Sequence, residues 1–198
     1  MRLLAMVLSI LVASAEMAVA EISTFKDPTH KFEISYPSDW TRKDAETNDT
    51  IMGGIEIVAP DDSARCVVYI TKLSGTNWAM VAVGSFFAGG NTSQAMFGSW
   101  TDADWKDVFD FLSEAKVQNH QNVKMKDGKL SVGAEIFGKY DSDGTAVNMQ
   151  MLAKLAYARN AMFLGECIVA SVDSTADDWK RNVPVFGEIM NSFDVQSD

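Results

Sequence analysis

Hydrophobic and polar positions alternate early in the chain. Lys31-Phe32-Glu33-Ile34-Ser35-Tyr36 sets Phe32, Ile34 and Tyr36 on one face, which predicts a strand. Pro37 stops it, and Ser38-Asp39 turn the chain ahead of Trp40. Residues 41–50 are polar and charged and read as a loop. Ile51 to Ala59 predicts a second strand and Ala64 to Leu73, rich in β-branched residues, a third, with Pro60-Asp61-Asp62-Ser63 turning between them. Thr76 predicts the cap of a short helix from Asn77 to about Ala88, ended by Gly89-Gly90-Asn91. Residues 91–100 are irregular.

Thr101-Asp102-Ala103-Asp104 then matches a capping pattern. The predicted helix behind it carries Trp105, Val108, Phe109 and Leu112 at i, i+3, i+4 and i+7, a buried stripe. From residue 121 the period becomes two. Asn122 to Lys126 predicts a short strand, and Asp127-Gly128 a hairpin turn. Leu130, Val132, Ala134, Ile136 and Tyr140 line one face of the next strand, which Asp141-Ser142-Asp143-Gly144 turns. Val147, Met149, Met151, Ala153, Leu155 and Tyr157 alternate with polar residues, Arg159-Asn160 turns again, and Ala161 to Ser171 returns. These four strands form an antiparallel meander. Ser174-Thr175-Ala176-Asp177 opens a last helix with Trp179, Val183, Phe186, Met190 and Phe193 as its apolar stripe. Pro184 falls within it and predicts a kink or a break. The class is α+β, an αβα sandwich with a predominantly antiparallel sheet covered by helices.

The first twenty residues stand apart from this pattern. Arg2, an apolar run from Leu3 to Val12 and the small-residue pairs Ala13/Ala15 and Ala18/Ala20 read as a secretory signal peptide with cleavage after Ala20. The expected organisation is a signal peptide over 1–20 and a single domain over 21–198, exported to a periplasm. No later segment is apolar enough to predict a membrane span. A net charge of -10 in 198 residues argues against sequence-independent binding to nucleic acid. Export also bears on the two cysteines, Cys66 and Cys167, each in a β-rich run. An oxidising compartment permits a disulfide between them; two buried inert thiols are the alternative.

Two signatures at opposite ends of the chain carry a resemblance. Phe25-Lys26-Asp27 leads into Phe32-Glu33-Ile34-Ser35-Tyr36-Pro37-Ser38-Asp39-Trp40, and the last helix ends Ile189-Met190-Asn191-Ser192-Phe193. With the order of strands and helices, this resembles the PsbP/DcrB-like superfamily over most of residues 24–195. The resemblance implies an αβα sandwich and an accessory or interaction role without enzymatic activity. It transfers no specific function, because fold does not fix function.

Reactive chemistry is sparse. No Gly-x-Ser-x-Gly pattern occurs, and only His30 and His120 offer an imidazole base; both sit in polar sequence and are expected to be exposed. Gly53-Gly54 and Gly89-Gly90 lack the spacing and the Lys of a phosphate loop. Asp102, Asp104, Asp107 and Asp110 are neighbours without a ligand pattern. Asp141-Ser142-Asp143-Gly144 begins like a calcium loop but lacks the distal Glu, so it reads as a turn. Met149 and Met151 put two thioethers on one strand face, a soft-metal pair that is more simply core filler. No metal or cofactor is expected. The stretch from Gly75 to Trp100 mixes glycines with aromatics, and Phe97 and Trp100 are its candidate surface for a partner or ligand. The function expected is that of an exported, non-enzymatic accessory protein with a protein partner in the cell envelope; the alternative is a periplasmic protein that binds a small molecule, a lipid or a metal.

Overall fold

The computed structural model describes residues 21–72, 97–125, 130–159 and 161–196. The leader and its cleavage point, the helix expected over 77–88, the Asp127-Gly128 turn and Asn160 lie outside the described residues.

Two sheets hold the chain. A small one orders β1 (Ile22–Lys26), β2 (Phe32–Pro37) and β10 (Asp194–Val195) as β1-β2-β10. The large one contains β3 (Thr41–Asp44), β4 (Ile51–Val58), β5 (Arg65–Lys72), β6 (Ser113–Lys124), β7 (Leu130–Ser142), β8 (Thr145–Ala158) and β9 (Ala161–Ser171). Its order is β3-β4-β5-β9-β8-β7-β6, with every neighbouring pair antiparallel. The helices are α1 (Asp102–Val108) and α2 (Ala176–Ser192). This is the α+β sandwich that the sequence predicts.

Alternation divides the large sheet into two faces. On the first, Ile55, Ile57, Val68, Ile70, Phe163 and Val169 meet Phe32 and Ile34 of β2 and Phe186, Ile189, Met190 and Phe193 at the end of α2. Phe32 stands edge-on to both Phe163 and Phe193, at 6.3 and 6.1 Å between ring centres. The last turn of α2 carries no basic residue of its own. Instead Lys154, buried on β8, donates to the carbonyls of Met190 (3.2 Å) and Phe193 (2.7 Å), placing a cation at the negative end of the helix. On the second face, Val132, Ala134, Ile136, Met151, Ala153, Leu155 and Ile168 pack under Trp105 and Phe109.

Several boundaries differ from the sequence-based expectation. Thr41–Asp44 is a strand, not a loop; it forms an edge, all four residues are exposed, and Lys43 pairs with Glu56 at 2.8 Å. The helix after Thr101 ends at Val108 rather than Leu112, although Trp105, Phe109 and Leu112 are all buried as expected. Strand β6 begins at Ser113, not near 122. Register shifts between Ser113 and Lys116 and between Gln118 and Gln121 break its alternation, and Glu114 and Asn119 have positive φ. The capping box at Thr101 forms as expected, the Asp104 carboxylate accepting from both the Thr101 amide and hydroxyl. Helix α2 continues through Pro184, which is exposed, so water can satisfy the carbonyl four residues back.

The join between β5 and β9 is clamped covalently. Cys66 and Cys167 are register partners and form a disulfide across a sequence separation of 101 residues, so the pairing alternative holds. Closing so long a loop limits the unfolded chain and stabilises the fold by roughly 2–5 kcal/mol. Replacing both cysteines by Ala should lower the unfolding free energy by about that amount in urea titration. An unchanged midpoint would show that the clamp adds nothing.

Gly54 gives a second test. Its φ of +145° and its position place a hypothetical Cβ only 1.9 Å from the Val68 carbonyl oxygen. Gly54→Ala should therefore cost at least ~1–3 kcal/mol from backbone strain alone, read by the same titration.

Candidate functional site

The second face of the large sheet divides into two halves. Over β6 to β8 it is apolar and lies beneath α1. Over β3 to β5 and β9 it carries charge. Register places Lys43, Glu56, Val67, Glu166 and Ala153 in one row across five strands. Lys43 and Arg65 approach Glu56 at 2.8 and 3.9 Å. Glu166 is only 8% exposed, with Val67 and Ala153 beside it. Burial pushes its carboxyl up to about 7, opposed weakly by the Arg65 charge. Tyr69, one row along, is raised by its own burial and by the Glu166 charge.

An aromatic row runs along the other half. Phe97 meets Trp100, Trp100 meets Trp105, Trp105 stacks on Phe109, Phe109 meets Phe111, and Phe111 meets Tyr140, each at 5.5–6.1 Å between ring centres. The row begins in the core and ends in solvent. The indole Nε1 atoms of Trp100 and Trp105 are buried and find no acceptor among the described residues.

The residues singled out from sequence fare differently. Phe97 is wholly buried, so it reaches a partner only through Trp100, whose ring is partly exposed. That corrects the expectation of a surface pair: Phe97 is a core residue of the second face. Met151 is buried and Met149 packs against the same cluster, as core filler would. The segment 141–144 is the β7–β8 turn, with Asp143 and Gly144 at positive φ and the Asp141 carboxylate accepting from the Gly144 amide at 2.7 Å.

Neither histidine is fully exposed, contrary to expectation. His120 Nδ1 lies 3.3 Å from the Asp102 carboxylate with its side chain 20% exposed. His30 is half-buried, and its Nε2 leaves no room on Gly53, where a Cβ would sit 3.0 Å away. It lines a cleft of about 300 Å³ with Asp27, Asp44, Thr47 and the Gly53-Gly54 backbone. A bulge between Ile51 and Gly53 opens this space, and the Asp27 carboxylate orders its rim by accepting from the Thr29 amide at 2.7 Å.

Sequence reasoning missed Phe111, Tyr140 as an exposed ring, and Glu166. A Phe-Asp-Phe run at 109–111 was a signal that one ring could not be buried. Tyr140, last in a period-two row before a turn, was another. A glutamate inside the apolar run 161–169 signals a carboxylate that folding carries inward.

The shift at Glu166 fixes a sign. Its folded value of about 7 lies above the ordinary carboxyl value of 4.5, so the folded chain holds the proton more tightly. Stability from this group is complete below pH ~4.5 and is lost as pH rises through about 7. Glu166→Gln should match the parent at pH ~4 and exceed it by up to about 3 kcal/mol above pH ~7. Equal pH profiles for the two proteins in urea titration would refute an ionising buried carboxyl.

No family model matches the chain, and no curated protein matches its sequence. Solved structures do resemble it. The solution structure of cyanobacterial PsbP (CyanoP) from Synechocystis sp. PCC 6803 matches with a TM-score of 0.53 at 15% identity, covering 94% of this chain and 99% of that one. LpqN of Mycobacterium tuberculosis, described as involved in cell envelope biogenesis, matches at 0.45 and 15% identity over 90% and 92% of the two chains. The Ran-binding protein Mog1p of Saccharomyces cerevisiae gives 0.49 and 8% identity over 90% and 97%. Such low identities speak to architecture alone. The CyanoP match, with the strand order and the helices on both sheet faces, gives the chain the PsbP-like fold that its terminal motifs imply.

Proposed function

We propose that the protein is an exported, non-enzymatic accessory protein that binds another protein of the cell envelope. One observation carries this reading. Of the four large apolar side chains exposed among the described residues, three (Phe111, Tyr140 and Val172) lie at one end of the second sheet face. Aromatic rings held in place by a packed row and left in water cost free energy in the isolated protein, and a partner recovers it. The Cys66–Cys167 disulfide supports export, since such bonds persist in oxidising compartments. The sequence of residues 1–20 supports it too. No helix among the described residues is long and apolar enough to cross a membrane.

The alternative reading, a small-molecule binder, rests on the cleft beside His30. Its size suits a small polar ligand, and its lining offers an imidazole and carboxylates. A ligand retained in native mass spectra and lost on Gly53→Leu, which would fill the cleft, would favour it.

The test is site-specific photo-crosslinking in the producing cell. A photoreactive group at position 140 should yield a reproducible adduct with one envelope protein. The same group at position 180, exposed on α2, should not. Absence of any adduct from position 140 contradicts the accessory reading.

A further inference from the structure

We infer that the open end of the second sheet face is a docking surface for a cationic polypeptide segment, one that presents Lys or Arg beside apolar side chains. The inference deepens the accessory-protein reading and rests on it. Its geometry comes from three neighbouring strand ends. Tyr140 continues the inward row of Val132, Ala134 and Ile136 on β7, one step past the covered sheet. Its register partner on β8 is Val147. Asn148, next along, donates to the Val172 carbonyl at 3.2 Å, which ties the end of β9 to the same edge. Phe111, leaving α1, closes on Tyr140 with 6.1 Å between ring centres. Phe111, Tyr140 and Val172 are 50%, 43% and 59% exposed.

Charge selects the occupant. In the chain segments that supply this patch, residues 107–115, 138–149 and 170–179, the one basic residue is Lys139, which pairs with Glu114 at 2.9 Å. They also contain Asp110, Asp141, Asp143 and Asp173, all exposed. An aromatic pair rimmed by carboxylates suits a cation twice over. The ring faces attract it through their quadrupoles, and the carboxylates attract it by charge and hydrogen bonding. The same rim repels the alternatives. A second copy would set these carboxylates against themselves, and an anionic lipid surface or a nucleic acid would meet like charge. The apolar rings supply burial, while the rim steers approach and rejects neutral partners. The aromatic row behind Phe111 adds preorganisation: Phe109 and Trp105 are buried and stacked, so the exposed ring is held before a partner arrives.

The experiment titrates the protein, as the cell produces it, with a short synthetic lysine–leucine peptide, using a glutamate–leucine peptide as control. Amide shifts are followed by NMR. The proposal predicts saturable shifts confined to residues 109–115, 138–149 and 170–173 with the lysine peptide and none with the control. Paired Phe111→Ser and Tyr140→Ser changes should weaken binding by roughly tenfold or more. Asp141→Asn with Asp143→Asn should weaken it less and flatten its salt dependence. These side chains are exposed, so both paired variants should fold, and unchanged far-UV circular dichroism checks that. Shifts elsewhere, equal binding of both peptides, or wild-type affinity in the serine variant overturns the proposal. The crosslinking experiment separates the two claims. An adduct from position 140 whose captured segment is neutral or acidic, or is a second copy of this chain, ends the cationic docking surface. The first of these leaves the accessory reading standing.

Discussion

Pairing β5 with β9 turns two local runs of strands into a single seven-stranded sheet. Strands β3 to β5 form one run of neighbours in sequence, and β6 to β9 form another. Only the β5–β9 ladder makes one sheet of them, and it joins residues about a hundred positions apart. Such a contact is expensive in chain entropy, since all the intervening chain must close before it forms. The ladder offsets this with eight register pairs, buried aliphatic side chains on both strands and the Cys66–Cys167 bond near its Arg65 end. Everything laid on the first face, from β2 to the end of α2, packs across this seam.

The seam also sets the chemistry of the second face. Glu166 is on β9, so joining β5 to β9 places its carboxylate between Val67 and Ala153, away from water. The Arg65 charge eases that cost without removing it. A fold that tolerates such a group loses stability from it toward alkaline pH, against the trend set by Asp61 and Asp104, whose carboxyls are held below the usual range by hydrogen bonds from Ser63 and Thr101. Farther along the same face the apolar layer runs past its helical cover, and rings at Phe111 and Tyr140 meet solvent. One sheet face thus holds a hidden carboxyl near its middle and an uncovered apolar edge at its end.

Sequence made the local parts of this picture legible. Alternation at Phe32 and Ile34, the stripe through Trp105 and Phe109, the cap at Thr101 and the Asp143-Gly144 turn all follow from short-range rules, and the structure contains each. The failures have physical causes. Strand β3 has no buried side to betray it. The bulges at Glu114 and Asn119 shift the period of β6, so its first half looks aperiodic. Glycines and aromatics together around Phe97 suggest a surface, yet that composition equally describes a tightly packed core, which is where Phe97 lies. The exposed end was not legible, because it is assembled from three strand ends and one helix exit that only the non-local register brings together.

The β5–β9 seam holds together two otherwise separate halves of the sheet. Amide hydrogen exchange on the native protein and on the Cys66→Ala, Cys167→Ala variant tests it most directly. The variant should lose far more protection in β4 and β5 than in β7 and β8, because the first half opens without the second. Equal loss in all four strands, or none in any, would show that the sheet is a single cooperative unit which the seam does not control.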